Sequence, residues 1–267
     1  NTGAAIAVKD YLQSSGLPGT VVVVGCPGEE SLYGKIALLG EGGFDGLDVL
    51  LTCHVDYQNA AVSQPTLASF NGEFCFGGIS SHTGAARAHN ALDGVELSIQ
   101  AVERMRAHQF PKTSVEPVER NGGRMPNITP DRATLWFMIR DSSYETAKRV
   151  YQYVGEVVRD CAKIAGVDVV EGFLAGTHGY LPNDTIGDLM WKNLNDVGPV
   201  CYTDEELQEL SELCKNATGS GNAVSVPELT YLKGGIDPYS QDDGEASWHI
   251  PLGRLNWEIP LQLPLHN

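Results

Sequence analysis

The hydrophobic period of this chain changes twice, and that change limits its folds more than any other feature. Up to about residue 64, apolar runs alternate with helical patterns. Ala4, Ala5, Val8, Tyr11 and Leu12 recur at helical spacing over 3–15, and Gly16 stops them. Val21-Val22-Val23-Val24 then reads as a fully buried strand over 20–25, of the kind found in parallel sheets. A helix is expected from Ser31 to Leu39 and a second strand over 47–52. Strands alternating with helices predict a parallel sheet. From Gln64-Pro65 onward the pattern alternates apolar with polar over 66–76. A helix over 91–108, strands over 113–119 and 132–140, a helix over 143–165 and a strand over 167–174 follow. That order, β-α-β-β-α-β, is the ferredoxin-like split βαβ unit. Two further helices are expected over 184–196 and 203–214, the second opened by a capping box of Thr203 and Glu206. The expected architecture is α/β: a mostly parallel-sheet domain built from 1–64 and 179–267, with a ferredoxin-like α+β domain inserted over 65–178.

Composition narrows the partners. A hydrophobic share of 42% with 19% charged residues is ordinary for a globular chain. A formal net charge of −16 argues against nucleic acid and anionic membranes. No apolar run reaches transmembrane length. The six cysteines form no C-x-x-C pair, so reduced thiols and a cytoplasmic location are the expectation.

The first apolar run ends in Gly25-Cys26-Pro27-Gly28, followed at once by Glu29 and Glu30. Ligands in open α/β sheets bind beyond the carboxyl ends of the strands. Two adjacent acids repel, and burying both is costly without a cation. A metal with an attached water would use both, one as ligand and one as base. In isolation the pair reads first as a solvated turn leading into a helix N-terminus, where the helix dipole favours acids. His54 closes the second apolar run as the acids close the first. It is a suitable partner for Glu in holding Zn²⁺ or Mn²⁺, or simply a hydrogen-bonded histidine at a strand end.

The ordered set of motifs is more specific. Gly25-Cys26-Pro27-Gly28-Glu29-Glu30 with Gly34-Lys35 is followed by Leu51-Thr52-Cys53-His54, Ser80-Ser81-His82 and Asn90-Ala91-Leu92-Asp93. Gly122-Gly123, Pro126-Asn127-Ile128-Thr129-Pro130-Asp131, Arg140, Gly176-Thr177 and Leu181-Pro182-Asn183 come next. Asp243-Gly244, Ser247-Trp248 and Pro264-Leu265-His266 close the series. In this order the chain resembles the aminoacylase/carboxypeptidase class of dinuclear metallopeptidases, in its amidohydrolase branch, over essentially its whole length.

The resemblance implies a role for each matched position. Glu29 is the general base, and Glu30, His54 and His266 are ligands of a dinuclear zinc or manganese centre. His82, in an inserted lid and dimerisation domain, polarises the scissile carbonyl, in some members from the neighbouring subunit. Asn127 and Arg140 hold the substrate carboxylate, a task suited to the bidentate arginine fork. The implied reaction is hydrolysis of a small-molecule amide: an N-acyl or N-aroyl amino acid, or a dipeptide-like substrate with a free carboxylate. A homodimer formed through the lid is implied as well. The family places two more metal ligands ahead of the first helix, so residues upstream of Asn1 are expected to be missing. The rival reading is a catalytically incompetent fragment, or a binding or regulatory subunit that keeps the fold. His89, His108 and His178 read as surface or helix-end residues, and His249 as a neighbour of the site at most. Cys26 and Cys53 read as small core residues, and Asp242 and Asp243 as acids of a structural loop.

Overall fold

In a computed structural model, which describes residues 1–82, 88–219 and 221–260, the chain forms two four-stranded sheets. The first contains β1 (Leu50–Asp56), β2 (Asn59–Ser63), β7 (Leu229–Lys233) and β8 (Leu252–Glu258), in the order β1-β8-β2-β7. β1 runs parallel to β8 and β2 parallel to β7, while β2 and β8 pair antiparallel. β8 therefore sits between two strands that lie about 200 residues before it. Helices α1 (Thr2–Ser15), α2 (Gly34–Gly40), α5 (Asp184–Val197), α6 (Asp204–Thr218) and the short α7 (Asp243–Ser247) belong to this half. The capping box of Thr203 and Glu206 opens α6 as expected.

The second sheet contains β3 (Ala68–Gly77), β4 (Ser114–Asn121), β5 (Arg132–Asp141) and β6 (Asp168–Thr177), all antiparallel, in the order β4-β5-β3-β6. With α3 (Ala91–Gln109) and α4 (Tyr144–Ala165) this is the β-α-β-β-α-β unit that the periodicity predicts. Asn90 caps α3 and Ser143 caps α4, each accepting a hydrogen bond from a first-turn N–H. Phe74, Phe76, Leu135, Phe137 and Ile139 of the sheet bury against Val95, Val102, Val150, Val154 and Val158 of the two helices. Period 2 on the strands and period 3.6 on the helices thus meet in one core.

Two expectations fail in the first half. Residues 17–28 take no regular structure, and Val22 and Val23 are 53% and 54% exposed, so the expected buried strand over 20–25 is absent. Four valines match a doubly covered strand, but burial needs a neighbouring strand and a layer on each face. Neither forms around this segment, and α1 likewise buries no residue. The second strand runs 50–56, not 47–52. Nothing in the hydrophobic periodicity predicts β7 or β8. The buried side of β8 carries Arg254, Asn256 and Glu258, so its hydropathy reads backwards.

The chain crosses between the two halves near residues 64–67 and again near 177–181. The crossings are knitted together: Tyr180 N–H donates to Thr66 Oγ1 at 2.9 Å. The Leu67 N–H donates to the Tyr239 carbonyl at 2.8 Å. Gly179 lies so close to the Thr66 carbonyl that a Cβ has no room. No helix among the described residues is long and apolar enough to cross a membrane.

Candidate active site

The acid pair sits on a tightly wound turn. Gly28 takes a left-handed φ of 74°, Glu29–Ser31 form one 3₁₀ turn, and Leu32 closes it at φ 58°. A non-glycine residue there is strained, so surrounding contacts must hold the turn. Leu32 N–H bonds the Glu29 carbonyl and Tyr33 N–H the Gly28 carbonyl. Gly34 packs on the Pro27 carbonyl where a Cβ would collide.

Asp242 anchors the turn from the other end of the sequence. Its carboxylate accepts from Lys35 N–H at 2.9 Å and from Lys35 Nζ at 2.6 Å. The Asp242 side chain is completely buried. Burial acts to lower the Lys35 pKa, but the hydrogen bond and charge of Asp242 outweigh it and the net shift is upward. Burial also raises the Glu29 carboxyl above its ordinary range, helped by the negative charges of Asp242 and Glu30 and opposed by Lys35 and His54. Glu29 thus lies within electrostatic reach of Glu30 and His54. Beneath them, burial pushes Asp243 up as well, with Arg254 and Lys35 pulling it down.

Register brings His54 to this place. β1 pairs with β8 so that Thr52 lies beside Arg254, His54 beside Asn256 and Asp56 beside Glu258. These side chains share one face of the sheet, a polar ladder that ends at the carboxyl end of β1. His54 Nδ1 lies 2.6 Å from the Val55 carbonyl. That contact assigns the proton to Nδ1 and leaves the Nε2 lone pair available, the arrangement of a metal-ligating imidazole. A carboxylate and an imidazole facing a desolvated second acid suit a divalent cation chemically. Among the described residues, however, no three His, Cys, Asp or Glu side chains converge closely enough to hold one. His266 lies outside the described residues.

The remaining sequence-predicted residues are divided between the two ends of the second sheet. Arg140 sits at the end nearest the first sheet: its Nε donates to Ser240 Oγ at 3.0 Å, and its Nη1 pairs with Glu116 at 3.2 Å. Ser240 is two residues from Asp242, so a short segment connects the arginine to the Glu29 turn. His82 forms a bridge with Ile128, next to Asn127, at the opposite end of the sheet. The length of β5, about 30 Å at the usual rise, separates the two ends. A cleft of about 860 Å³ opens at the His82 end and is lined by Ser80, Arg124, Ile128 and Arg132, without Glu29, Glu30 or His54.

Several residues at the junction read differently from the sequence. Asp242 and Asp243 are more than acids of a structural loop: both are buried, Asp242 is ion-paired with Lys35, and Asp243 takes a hydrogen bond from Thr52 Oγ1 at 3.4 Å. His178 is not a surface residue: its ring stacks on Tyr144 at 3.7 Å and its Nδ1 meets Glu245 at 2.8 Å. Cys53 is exposed and Cys26 half-buried, so neither is a core residue. The doublet Asp242-Asp243 is the visible signal in the sequence. What it lacks there is its partner, Lys35, 207 residues away.

The fold and these motifs define a class. Residues 67–164 match the family model M20_dimer, the peptidase dimerisation domain. Along 97% of its length it is 27% identical to one of the subunits of p-aminobenzoyl-glutamate hydrolase from Escherichia coli, covering 58% of that protein. It is 28% identical to the human Xaa-Arg dipeptidase, with 95% of the chain matched to 55% of the relative. An aminobenzoyl-glutamate utilization protein from Klebsiella pneumoniae shares the fold with a TM-score of 0.61 at 16% identity, covering 87% of this chain and 55% of that one. The chain thus spans a little over half the length of the curated relatives it matches. Those relatives bear the names of amide-bond hydrolases and peptidases.

Proposed function

We propose that this chain carries the base and lid of a metal-dependent amidohydrolase that cleaves N-acyl or N-aroyl amino acids, with a p-aminobenzoyl-glutamate-like amide as the model substrate. The observation that supports it best is Glu29: a partly desolvated carboxyl with a raised pKa, beside a second acid and a histidine at the carboxyl end of β1. Held by Glu30, His54 and His266, a zinc or manganese ion would supply Lewis acidity at the scissile carbonyl. Glu29 takes the proton of the attacking water and returns it to the leaving amine. His82 hydrogen-bonds the developing oxyanion, while Asn127 and Arg140 fix the carboxylate. Because His82 and Asn127 lie a full strand length from Arg140, the reading requires them to come from a second copy across a lid-mediated homodimer. The cytoplasm is its natural setting, where the six free thiols stay reduced.

The test is hydrolysis of N-benzoyl and N-acetyl amino acids with added Mn²⁺ or Zn²⁺. Glu29→Gln is expected to lower kcat by at least about 100-fold with KM little changed, the range expected for loss of a general base. Undiminished turnover by that variant removes the base assignment.

A further inference from the structure

The two halves of the molecule share little surface. Among the described residues, no helix or strand of the inserted unit packs broadly on one of the first half. Relative motion of such halves is the default unless something fixes their angle. The crossing at 177–181 shows what does. The short helix α7 and the Trp248 that follows it grip this crossing from the first half. Glu245 N–H donates to Thr177 Oγ1 at 3.0 Å, and the Glu245 carboxylate accepts from His178 N–H at 2.9 Å. Trp248 Nε1 donates to the Gly179 carbonyl at 2.9 Å, and Leu181 N–H donates to Ser247 Oγ at 2.8 Å. Gly244 lies against the His178 carbonyl with no room for a Cβ. The crossing is therefore tied to α7, and the bend between the halves falls at Thr177, the last residue of β6.

The His178 ring stands at that bend. Its Nδ1 lies 2.8 Å from a Glu245 oxygen, and an ionised carboxylate only accepts, so the proton sits on Nδ1. The ring stacks on Tyr144 with centroids 3.7 Å apart and 8° between planes, and Trp248 lies against it at 4.8 Å. Tyr144 is the first residue of α4 and packs on Phe70 of β3 at 5.1 Å, so it is rooted in the inserted unit. An imidazole fixed to the first half thus lies flat on a ring fixed to the second. Turning the inserted unit about Thr177 has to part or slide those two rings. We propose that His178 is a wedge that sets the lid angle: Glu245 and Trp248 hold its ring, and the stack on Tyr144 selects one orientation of the inserted unit over others. Segment 240–248 also carries Ser240, which meets Arg140, and Asp242, which holds Lys35 behind the Glu29 turn. The stretch of chain that fixes the lid angle is therefore the one that anchors the candidate site. The wedge rests on the geometry of the crossing and stands whatever reaction the site performs.

Single-molecule energy transfer tests it without reference to turnover. Donor and acceptor dyes go on encoded amino acids at Glu156 of α4 and Asn193 of α5, both exposed. The labelled full chain is diluted into excess unlabelled protein, so that each dye pair reports on one chain. The unaltered chain is expected to show one dominant distance. His178→Ala should raise the share of other distances about two- to tenfold, the range set by the worth of one aromatic stack. Tyr144→Leu keeps apolar packing on Phe70 but offers no ring, and should loosen the lid to the same degree. It also carries the test if the alanine variant does not fold. Tyr144→Phe keeps the ring and should match the unaltered chain. A broad distribution in the unaltered chain overturns the wedge. So does an unchanged distribution in His178→Ala or Tyr144→Leu, or a loosening by Tyr144→Phe equal to that by Tyr144→Leu.

Discussion

At the scale of single residues, the site depends on charges buried in pairs. Asp242 has no access to water, and Lys35 provides both of its hydrogen bonds. Lys35→Met removes the ammonium and keeps most of the side-chain volume, so it leaves a buried carboxylate with only a backbone N–H. A loss of about 3–5 kcal/mol is expected by denaturant titration, because removing one partner strands the other charge. A loss near zero would show that water replaces the ammonium. Asp243 gives a pH signature. Its carboxyl is raised by burial, so the folded state holds the proton more tightly than the unfolded chain does. Between the ordinary Asp value of about 3.9 and the raised one, unfolding releases that proton, and the stability this group confers falls as pH rises. Asp243→Asn removes this dependence. The stability of the wild type minus that of the variant should slope downward across that window, and a flat difference curve would count against a raised carboxyl.

At the scale of elements, the two halves differ in how their parts are supported. Phe137 of β5 is almost wholly buried and meets Phe74 edge-on at 6.0 Å. Phe137→Ala should cost about 3–5 kcal/mol, seen as a lowered thermal midpoint. By contrast α1 buries nothing and residues 17–28 pair with no strand, so their amides should exchange with deuterium far faster than those of β3 and β5. The same contrast explains what the sequence could disclose. α3, α4 and their strands bury apolar faces, and local periodicity reports such faces directly. In β8 the buried face holds Arg254, Asn256 and Glu258; Glu258 accepts from Asn59 and Asn256 donates to Asp56, partners about 200 residues away. Periodicity cannot see compensation of that kind. Val21–Val24 misleads in the opposite sense: the run advertises burial that the surrounding chain does not deliver. Glu29, Glu30 and His54 are legible from their place at run ends, whereas Lys35–Asp242 and the His178–Glu245 contact, 207 and 67 residues apart, are not.

At the scale of the whole molecule, the separation of His82 from Arg140 makes assembly a question of chemistry. If His82 reaches the Glu29 of a second copy, Glu29→Gln and His82→Ala are inactive alone but complementary when mixed. In a two-fold dimer at random pairing, about a quarter of wild-type turnover should return, since half of the dimers carry one intact site of two. No recovery after verified subunit exchange would place the whole site within one chain. Sedimentation of the unaltered protein should show the dimer itself.

The central position of β8 carries a consequence in time. A ribosome releases β1 and β2 first, then all of the second sheet with α3 and α4, and only afterwards the strand that joins β1 to β2. Domains close as their parts emerge. The inserted unit can therefore complete its core while the first sheet is still two strands with a gap between them. Over that interval the nascent protein exposes the inward edges of β1 and β2, both seeking a partner strand. Along the chain the inserted unit, completed earlier, lies between them and β8. Its two crossings, joined by the hydrogen bond from Tyr180 N–H to Thr66 Oγ1, return the chain beside the end of β2, and residues 252–258 later fill the gap.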